Sequence, residues 1–261
     1  MGTIDIAENI FAQQKWVRKV ILRAYEASAL QNVFVNLAVR SGVKLRAEAS
    51  KYSNIADLVN LAFNYVDILF TITPVQVKQE ISGLLKILAA SKPKFVLEIG
   101  TARGGTLFLF TRVVSPDAVV ISLDLPQGEG GGGYYSDWKI PFYESFAVHK
   151  QKVHLVRLNS HAASTLNAIK RILGDNLLDF LFLDGDHTYD GVKADFDMYS
   201  PLVRKGGLIV FHDICMESFA NYTELEGGVN KFWNEIKRSY QHEEIISTPD
   251  QKGFGIGVLY T

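Results

Sequence analysis

The sequence has little cysteine, little net charge and no long apolar runs. Cys215 is the only cysteine in 261 residues, which rules out an internal disulfide and is typical of a reducing compartment. No apolar run is long enough to cross a membrane, and the first residues, MGTIDIAENI, lack the basic start and apolar block of a signal peptide. The formal net charge of -1 argues against nucleic-acid binding. We therefore expect a cytoplasmic globular protein without stable membrane insertion.

The chain up to about residue 70 has helical periodicity but no catalytic pattern. In KWVRKVILRAYEA, the apolar residues Trp16, Val17, Val20, Ile21 and Ala24 share one helical face. This face favours a helix docked on the protein, with membrane-surface attachment as the alternative. A second apolar segment, IADLVNLAFNYVDILF, is either a lid over an active site or a dimer contact. We expect residues 1–73 to form a helical extension that serves as a lid or an oligomer contact.

From residue 74 to residue 261 the sequence predicts a single α/β domain. Thr73 and Pro74 predict the start of its first helix, because Thr73 can cap, Pro74 suits the first helical position and Gln76 follows at capping-box spacing. Strands and helices then alternate, which is typical of a parallel sheet covered on both faces. The last segment, EEIISTPDQKGFGIGVLYT, predicts a closing hairpin with one antiparallel strand. The expected fold is a doubly wound, Rossmann-like, mostly parallel sheet.

The stretch FVLEIGTARGGT predicts a buried strand, a tight glycine turn and a helix start. Backbone N–H groups and the positive end of the helix dipole at such a start suit an anionic group of a ligand. A dinucleotide fingerprint needs a second glycine two residues after Gly100, where this sequence has Ala102. Glu98 would repel a pyrophosphate, whereas a cationic, zwitterionic ligand would tolerate it.

At these residues the sequence resembles class I S-adenosylmethionine-dependent methyltransferases, whose first motif is an acidic residue, any residue, glycine, three residues and glycine. The family has a seven-stranded sheet with one antiparallel strand, and the closing hairpin agrees with it. In that family the turn holds the methionine end of the cofactor. The resemblance therefore implies cofactor contacts from the following residues: Glu98, Gly100, Thr101, Gly104, Gly105 and Thr106.

The ends of the next two strands supply further candidates for cofactor binding. AVVISLD ends in Asp124, about twenty residues beyond the glycine pair, where an acidic residue can accept both ribose hydroxyls of either cofactor class. Leu125 follows it and is counted with the cofactor site. KVHLVRLNS ends in Asn159 and Ser160, and the resemblance implies that one of them meets the adenine edge. His161 beside them is interpreted as a loop histidine.

The loop LPQGEGGGGYYSDW follows the second strand. Its four consecutive glycines favour either a disordered linker or a mobile lid. We favour the lid, because the loop leaves the carboxyl end of a strand and carries Tyr134, Tyr135 and Trp138, which can cover a substrate.

Chemically active side chains follow the fourth and fifth strands. LDFLFLD ends in Asp184, His187 follows within the same loop, and LIVFHD ends in His212 and Asp213. Because the carboxyl ends of neighbouring parallel strands meet at one edge of a sheet, we expect these four groups to gather beside the glycine turn. Together they can bind metal or move protons.

This block resembles the small-molecule O-methyltransferases of the methyltransferase-24, macrocin and cephalosporin-hydroxylase-like group. The shared pattern comprises Asp184, Gly185, His187, Tyr189, Pro201, Leu202, Val203, Gly206, Gly207, His212 and Asp213. The resemblance implies Asp184 and Asp213 as Mg²⁺ ligands and His187 as the base, with Asp184 also next to the cofactor. His212 stands where the metal-dependent members have a carboxylate, and histidine suits Mg²⁺ poorly. We count it as the third candidate metal ligand.

These residues predict methyl transfer from S-adenosylmethionine to a hydroxyl of a small molecule, such as a sugar or a secondary metabolite. His187 and Asp184 are the candidate catalytic residues. Two alternatives remain. One is an NAD-dependent oxidoreductase on a similar sheet, and the other is a non-catalytic cofactor-binding or assembly protein.

Overall fold

The structure is a computed structural model that describes residues 31–67, 70–126, 137–215 and 228–261. The predicted helix around Trp16 and the lid residues Tyr134 and Tyr135 lie outside these ranges. The described helices are α1 (Gln31–Ala49), α2 (Ile55–Asn64), α3 (Lys78–Ser91), α4 (Gly105–Val113), α5 (Ile140–Glu144), α6 (Ala163–Leu173), α7 (Tyr189–Tyr199) and α8 (Gly228–Ile236). The strands are β1 (Phe95–Ile99), β2 (Val119–Asp124), β3 (Lys152–Arg157), β4 (Leu178–Leu183), β5 (Val203–His212), β6 (Gln241–Ile245) and β7 (Ile256–Tyr260).

The strands form one seven-stranded sheet in the order β3-β2-β1-β4-β5-β7-β6. Strands β1 to β5 pair in parallel, and β7 runs antiparallel to both of its neighbours. The predicted doubly wound sheet with one antiparallel strand is confirmed. The strand order reverses between β1 and β4, and open α/β sheets bind ligands beyond the carboxyl ends of the strands at such a switch point.

The central strands are apolar on both faces because helices cover both faces. Val96, Phe180 and Val210 belong to one core cluster, whereas Leu97 and Leu181 belong to the other. Side chains along a strand alternate between faces, so a strand buried on both sides becomes a continuous apolar run. This burial fixes the register that places the ends of β1, β4 and β5 together.

The N-terminal helices share the core of the sheet domain. Ala38 and Leu45 of α1 and Leu58 of α2 are buried in the same cluster as the helices that flank β1. Trp138, predicted as a substrate cover, is instead 3% exposed, and its ring packs against Phe34 and Phe70. The prediction for Trp138 was wrong, because the α1 helix offers its large ring an apolar surface.

The predicted start of the first domain helix was also wrong. Helix α3 begins at Lys78 with Val77 as its N-cap, four residues beyond Pro74. Pro74 instead packs on Gly105 at the start of α4, where an added Cβ would lie 2.0 Å from the Ile72 carbonyl oxygen and 2.7 Å from the Pro74 ring. Tertiary contact has therefore overridden a favourable local capping sequence. Among the described residues, no helix is both long enough and apolar enough to span a bilayer.

Candidate active site

The glycine turn after β1 is pressed against the end of β4. Gly100 has a φ of +91°, and an added Cβ would lie 1.9 Å from the carbonyl oxygen of Asp184. Only glycine fits this position, both for its dihedral and for its space. The turn and Asp184 are thereby brought into direct contact, as the sequence predicted.

Asp124 holds the turn in place through its carboxylate. Its Oδ2 accepts the backbone N–H groups of Thr101 and Ala102, each over 3.0 Å, and its Oδ1 accepts that of Leu125 over 2.7 Å. Ala102 lies in the left-handed region with a φ of +45°, which costs energy for a residue with a Cβ. Asp124 therefore shapes the turn, and its contact with a ribose stays a prediction.

Glu98 is buried beneath the same turn. Its Oε2 accepts the hydroxyl of Ser122 over 3.1 Å, and Ser122 in turn bonds with the hydroxyl of Thr101. Burial raises the pKa of Glu98 to about 8, because a desolvated carboxylate near Asp184 and Asp124 is disfavoured. Glu98 is thus neutral at pH 7 when the site holds no cation, so the negative charge that the predicted repulsion of a pyrophosphate requires is absent in that state.

Two aspartates and two histidines meet at the carboxyl edge. His212 Nδ1 lies 3.0 Å from Asp184 Oδ1 and 3.2 Å from Asp213 Oδ2. His187 Nε2 lies 3.6 Å and 3.5 Å from the same two oxygens. We call these four residues the Asp–His centre. The expectation that they gather beside the glycine turn is confirmed by their distances, although their chemical roles stay predictions.

Mutual charge sets the protonation of the Asp–His centre. Burial alone would raise the pKa of Asp184, but His212 and His187 outweigh it and hold that pKa below its usual value. Burial opposes charge on His187 and His212 too, yet the two carboxylates raise the pKa of both rings. The carboxylates therefore stabilise a proton that either ring accepts.

The two histidines differ in access. The side chain of His187 is 32% exposed, whereas that of His212 is 2% exposed. Asp213, at a φ of +64°, is in the left-handed region that aspartate tolerates. Ligand atoms of Asp184, His212 and Asp213 lie within 4.8 Å of one another, so the three predicted metal ligands form one cluster. His187 is the member that an incoming substrate can reach.

Gln76 joins this site although the sequence placed it in a helix cap. Its amide nitrogen donates to Asp184 Oδ2 over 2.7 Å, and the side chain is 6% exposed. It lines a cavity of about 20 Å³ with the turn residues Gly100, Thr101, Gly105 and Thr106, and with Asp184. Gly104 lies at the N-cap of α4 and packs on the Tyr143 ring. No local sequence signal marked Gln76 as a site residue, because its partner Asp184 is 108 residues away.

The predicted adenine-edge residues lie at the end of β3. Asn159 Oδ1 accepts the backbone N–H of His161 over 2.8 Å, and the carbonyl of Ser160 accepts the hydroxyl of Tyr199 over 2.7 Å. His161 Nε2 also lies 3.4 Å from Asp195 Oδ1. Burial raises the pKa of Asp195, a residue that the sequence analysis did not single out, to about 6.

A loop from the other end of the chain closes against His212. Phe254 has a φ of +57°, which is strained for a bulky residue, and its ring centroid lies 6.0 Å from that of His212. The loop is anchored on Glu80, which is buried and accepts hydrogen bonds from Ser247, Gln251 and the backbone of Gly255. No sequence pattern indicated either residue.

Residues 97–214 match a protein-family model described as "Methyltransferase domain". This span contains the glycine turn and the whole Asp–His centre. Over these residues the chain is therefore similar to methyltransferase domains. The chain also has the fold of an O-methyltransferase from Bacillus cereus solved with SAH. That match has a TM-score of 0.56 at 16% identity and covers 82% of this chain and 96% of that chain.

Two curated proteins match parts of the chain. An uncharacterized protein of Sinorhizobium fredii is 26% identical over 173 residues, which cover 65% of this chain and 18% of that protein. An uncharacterized protein of Acanthamoeba polyphaga mimivirus is 33% identical over 117 residues, which cover 39% of this chain and 52% of that protein. The chain thus spans about half the length, or less, of these curated relatives.

Proposed function

We propose that this chain transfers the methyl group of S-adenosylmethionine to a hydroxyl oxygen of a small molecule. The observation that carries the proposal is the Asp–His centre, which lies beside the glycine turn and has the exposed ring of His187 at its edge. The fold shared with an O-methyltransferase supports the same reaction class. The acceptor is a hydroxylated compound such as a sugar or a secondary metabolite.

The cofactor is proposed to lie along the carboxyl ends of β1, β2 and β3. Its methionine portion meets Gly100, Thr101, Gly105 and Thr106, which line the small cavity. Asp124 receives the ribose hydroxyls, and the loop after β3 with Asn159 and Ser160 meets the adenine. The buried Glu98 below the turn favours a cationic sulfonium ligand over a pyrophosphate, because cation binding stabilises its ionised form.

The chain's own residues supply orientation and proton transfer. Asp184 and Asp213 lie within 3.6 Å of His187 Nε2, so they fix the ring and stabilise its protonated form. His187 takes the proton from the acceptor hydroxyl as the oxygen attacks the methyl group. An alcohol is ionised very little at neutral pH, so a positioned base is needed; such bases contribute typically about 10²- to 10⁴-fold.

The Asp–His centre also fits a divalent cation. Its two carboxylates and one imidazole form a plausible donor set, and Asp213 Oδ1 and His212 Nε2 are buried without a hydrogen bond to any described residue. Asp184, His212 and Asp213 would hold the ion, and the imidazole favours Mn²⁺, Fe²⁺ or Zn²⁺ over Mg²⁺. When bound, the cation would lower the pKa of the acceptor hydroxyl and fix its direction.

Calorimetric titration tests the cofactor class directly. S-Adenosylmethionine and S-adenosylhomocysteine are each titrated into the protein, and NAD is titrated in parallel, with and without Mn²⁺ or Mg²⁺. We expect micromolar binding of the first two compounds and none of NAD. Binding of NAD alone would overturn the proposal in favour of an oxidoreductase, and binding of none of the three would favour a non-catalytic protein.

Product formation tests the reaction. Phenols, catechols and sugars are incubated with S-adenosylmethionine, and methylated product and S-adenosylhomocysteine are followed by mass spectrometry. With the best acceptor, His187→Ala should lower turnover by about 10²-fold or more. His242→Ala, at an exposed histidine on β6, is the matched control and should leave turnover unchanged. Full turnover by His187→Ala would remove the base assignment.

The same preparations test the remaining proposals. A homo-oligomer built on the N-terminal helices predicts a mass above that of one chain in light scattering. Activity that is lost with a chelator and restored by Mn²⁺ supports the cation, whereas unchanged activity would show that the Asp–His centre works without one.

A further inference from the structure

Gln76 is a buried polar side chain to which the reaction proposed above gives no task. It is 6% exposed, and its amide nitrogen donates to Asp184 Oδ2 over 2.7 Å. A carboxylate can only accept hydrogen bonds, so the nitrogen faces Asp184 and the carbonyl oxygen faces elsewhere. That oxygen, Oε1, is buried and accepts no hydrogen bond from any residue that the structure describes. Leaving such an acceptor unpaired costs about 1–3 kcal/mol, so the site calls for a donor other than the described residues.

The cavity beside Gln76 suits one small cation. Its volume of about 20 Å³ is enough for a single group of the size of a water molecule. Asp184 lines it together with Thr101 and Thr106, which belong to the glycine turn and the first turn of α4. A helix start favours an anionic group and Asp184 favours a cationic one. This polarity is complementary to a zwitterion whose ammonium lies towards Asp184.

We propose that Gln76 Oε1 accepts a hydrogen bond from the α-ammonium group of the cofactor's methionine portion. Asp184 accepts a second N–H of the same group, so the amide and the carboxylate hold it from two sides. The inference rests on the proposed function, because it requires S-adenosylmethionine or its product in this cavity. The contact comes from the segment ahead of α3 and adds to the contacts of the glycine turn.

Three ligands isolate the ammonium contact. S-Adenosylhomocysteine has both the ammonium and the carboxylate, its decarboxylated analogue has only the ammonium, and 5′-methylthioadenosine has neither. In calorimetry, Gln76→Met should weaken the first two by about 10- to 100-fold and leave the third unchanged, since a hydrogen bond to a charged group is lost. Gln79→Met is the matched control at an exposed position on α3 and should bind all three as the wild type does.

Each other outcome overturns the proposal. Equal weakening of all three ligands would make Gln76 a structural residue, and no weakening would mean that a water molecule satisfies the amide. Weakening of S-adenosylhomocysteine alone would place the contact at the carboxylate. Gln76→Glu keeps an acceptor but cannot donate to Asp184, so it should bind S-adenosylhomocysteine about tenfold tighter than Gln76→Met; equal affinities would also contradict the proposal. A wild type that binds none of the ligands would instead show that the proposed function fails, and this inference with it.

Discussion

Glu80 and the Asp–His centre are two groups of buried carboxylates that the fold pairs in opposite ways. Four donors from Ser247, Gln251 and Gly255 satisfy both oxygens of Glu80 within the chain. In the Asp–His centre, Asp213 Oδ1 and His212 Nε2 are buried without a hydrogen bond among the described residues. A fully paired carboxylate joins chain segments, whereas one with unpaired atoms nearby is ready to receive a ligand. Pairing therefore separates structural from functional acids more clearly than burial does.

Loss of a charge from the Asp–His centre should give the largest effect. Asp213→Asn removes one of the two carboxylates that face both histidines, so methyl transfer should fall by about 10²- to 10⁴-fold while the melting temperature stays close to that of the wild type. Asp197→Asn, at an exposed aspartate paired with Lys193, is the control for turnover. Unchanged turnover in Asp213→Asn would contradict the functional role of the Asp–His centre.

The corresponding change at Glu80 should act on stability instead. Glu80→Gln replaces a carboxylate that accepts four hydrogen bonds with an amide. The NH₂ group of that amide then faces groups that donated to the carboxylate, so hydrogen bonds are lost. We expect a loss of about 3 kcal/mol in the free energy of unfolding, or about 6–12 °C in melting temperature. Affinity for S-adenosylhomocysteine should change little. Glu144→Gln, at an exposed glutamate, is the control. If Glu80→Gln melts at the same temperature as the wild type, Glu80 does not anchor the loop.

Glu98 is a third buried carboxyl group, and the pH dependence of stability tests its protonation. Burial raises its pKa to about 8 from an ordinary value of 4.5, so the folded protein keeps its proton through a pH range in which the unfolded chain loses it. Stability from this group is thus full below pH 4.5 and is lost as pH rises towards 8.

Glu98→Gln removes this dependence. Its unfolding free energy should rise relative to that of the wild type by on the order of 2 kcal/mol between pH 5 and pH 8. The measurement is chemical unfolding of the cofactor-free proteins at several pH values. A difference that stays constant with pH would mean that Glu98 is ionised in the folded protein.

Phe254 should show the smallest effect. At a φ of +57°, asparagine is tolerated better than a bulky side chain, so Phe254→Asn should raise the free energy of unfolding by about 1 kcal/mol or less. Phe254→Leu keeps an apolar side chain and the strain, and serves as the control. If Phe254→Asn is less stable than Phe254→Leu, the packing of the ring against His212 outweighs the backbone strain.

Most of the Asp–His centre was predictable from the sequence, because the end of an apolar run marks the carboxyl end of a buried strand. Asp184 follows one such run directly, His212 and Asp213 follow the next, and parallel pairing of β4 with β5 brings them to one edge. Gln76 was not predictable, because its partner Asp184 is 108 residues away and the local sequence favours a helix start. Glu80 has partners 167 to 175 residues away, and no periodicity reports such a contact.

The sequence by itself determined the alternation of strands and helices, the glycine turn at Gly100 and the presence of acids and histidines at strand ends. These features depend on local dihedral preference and on periodic burial, which neighbouring residues set. Only the tertiary structure decided that α3 begins at Lys78, that Trp138 is a core residue and that Glu98 keeps its proton. Pairing and desolvation of a polar group depend on what packs against it, and that partner comes from distant parts of the chain.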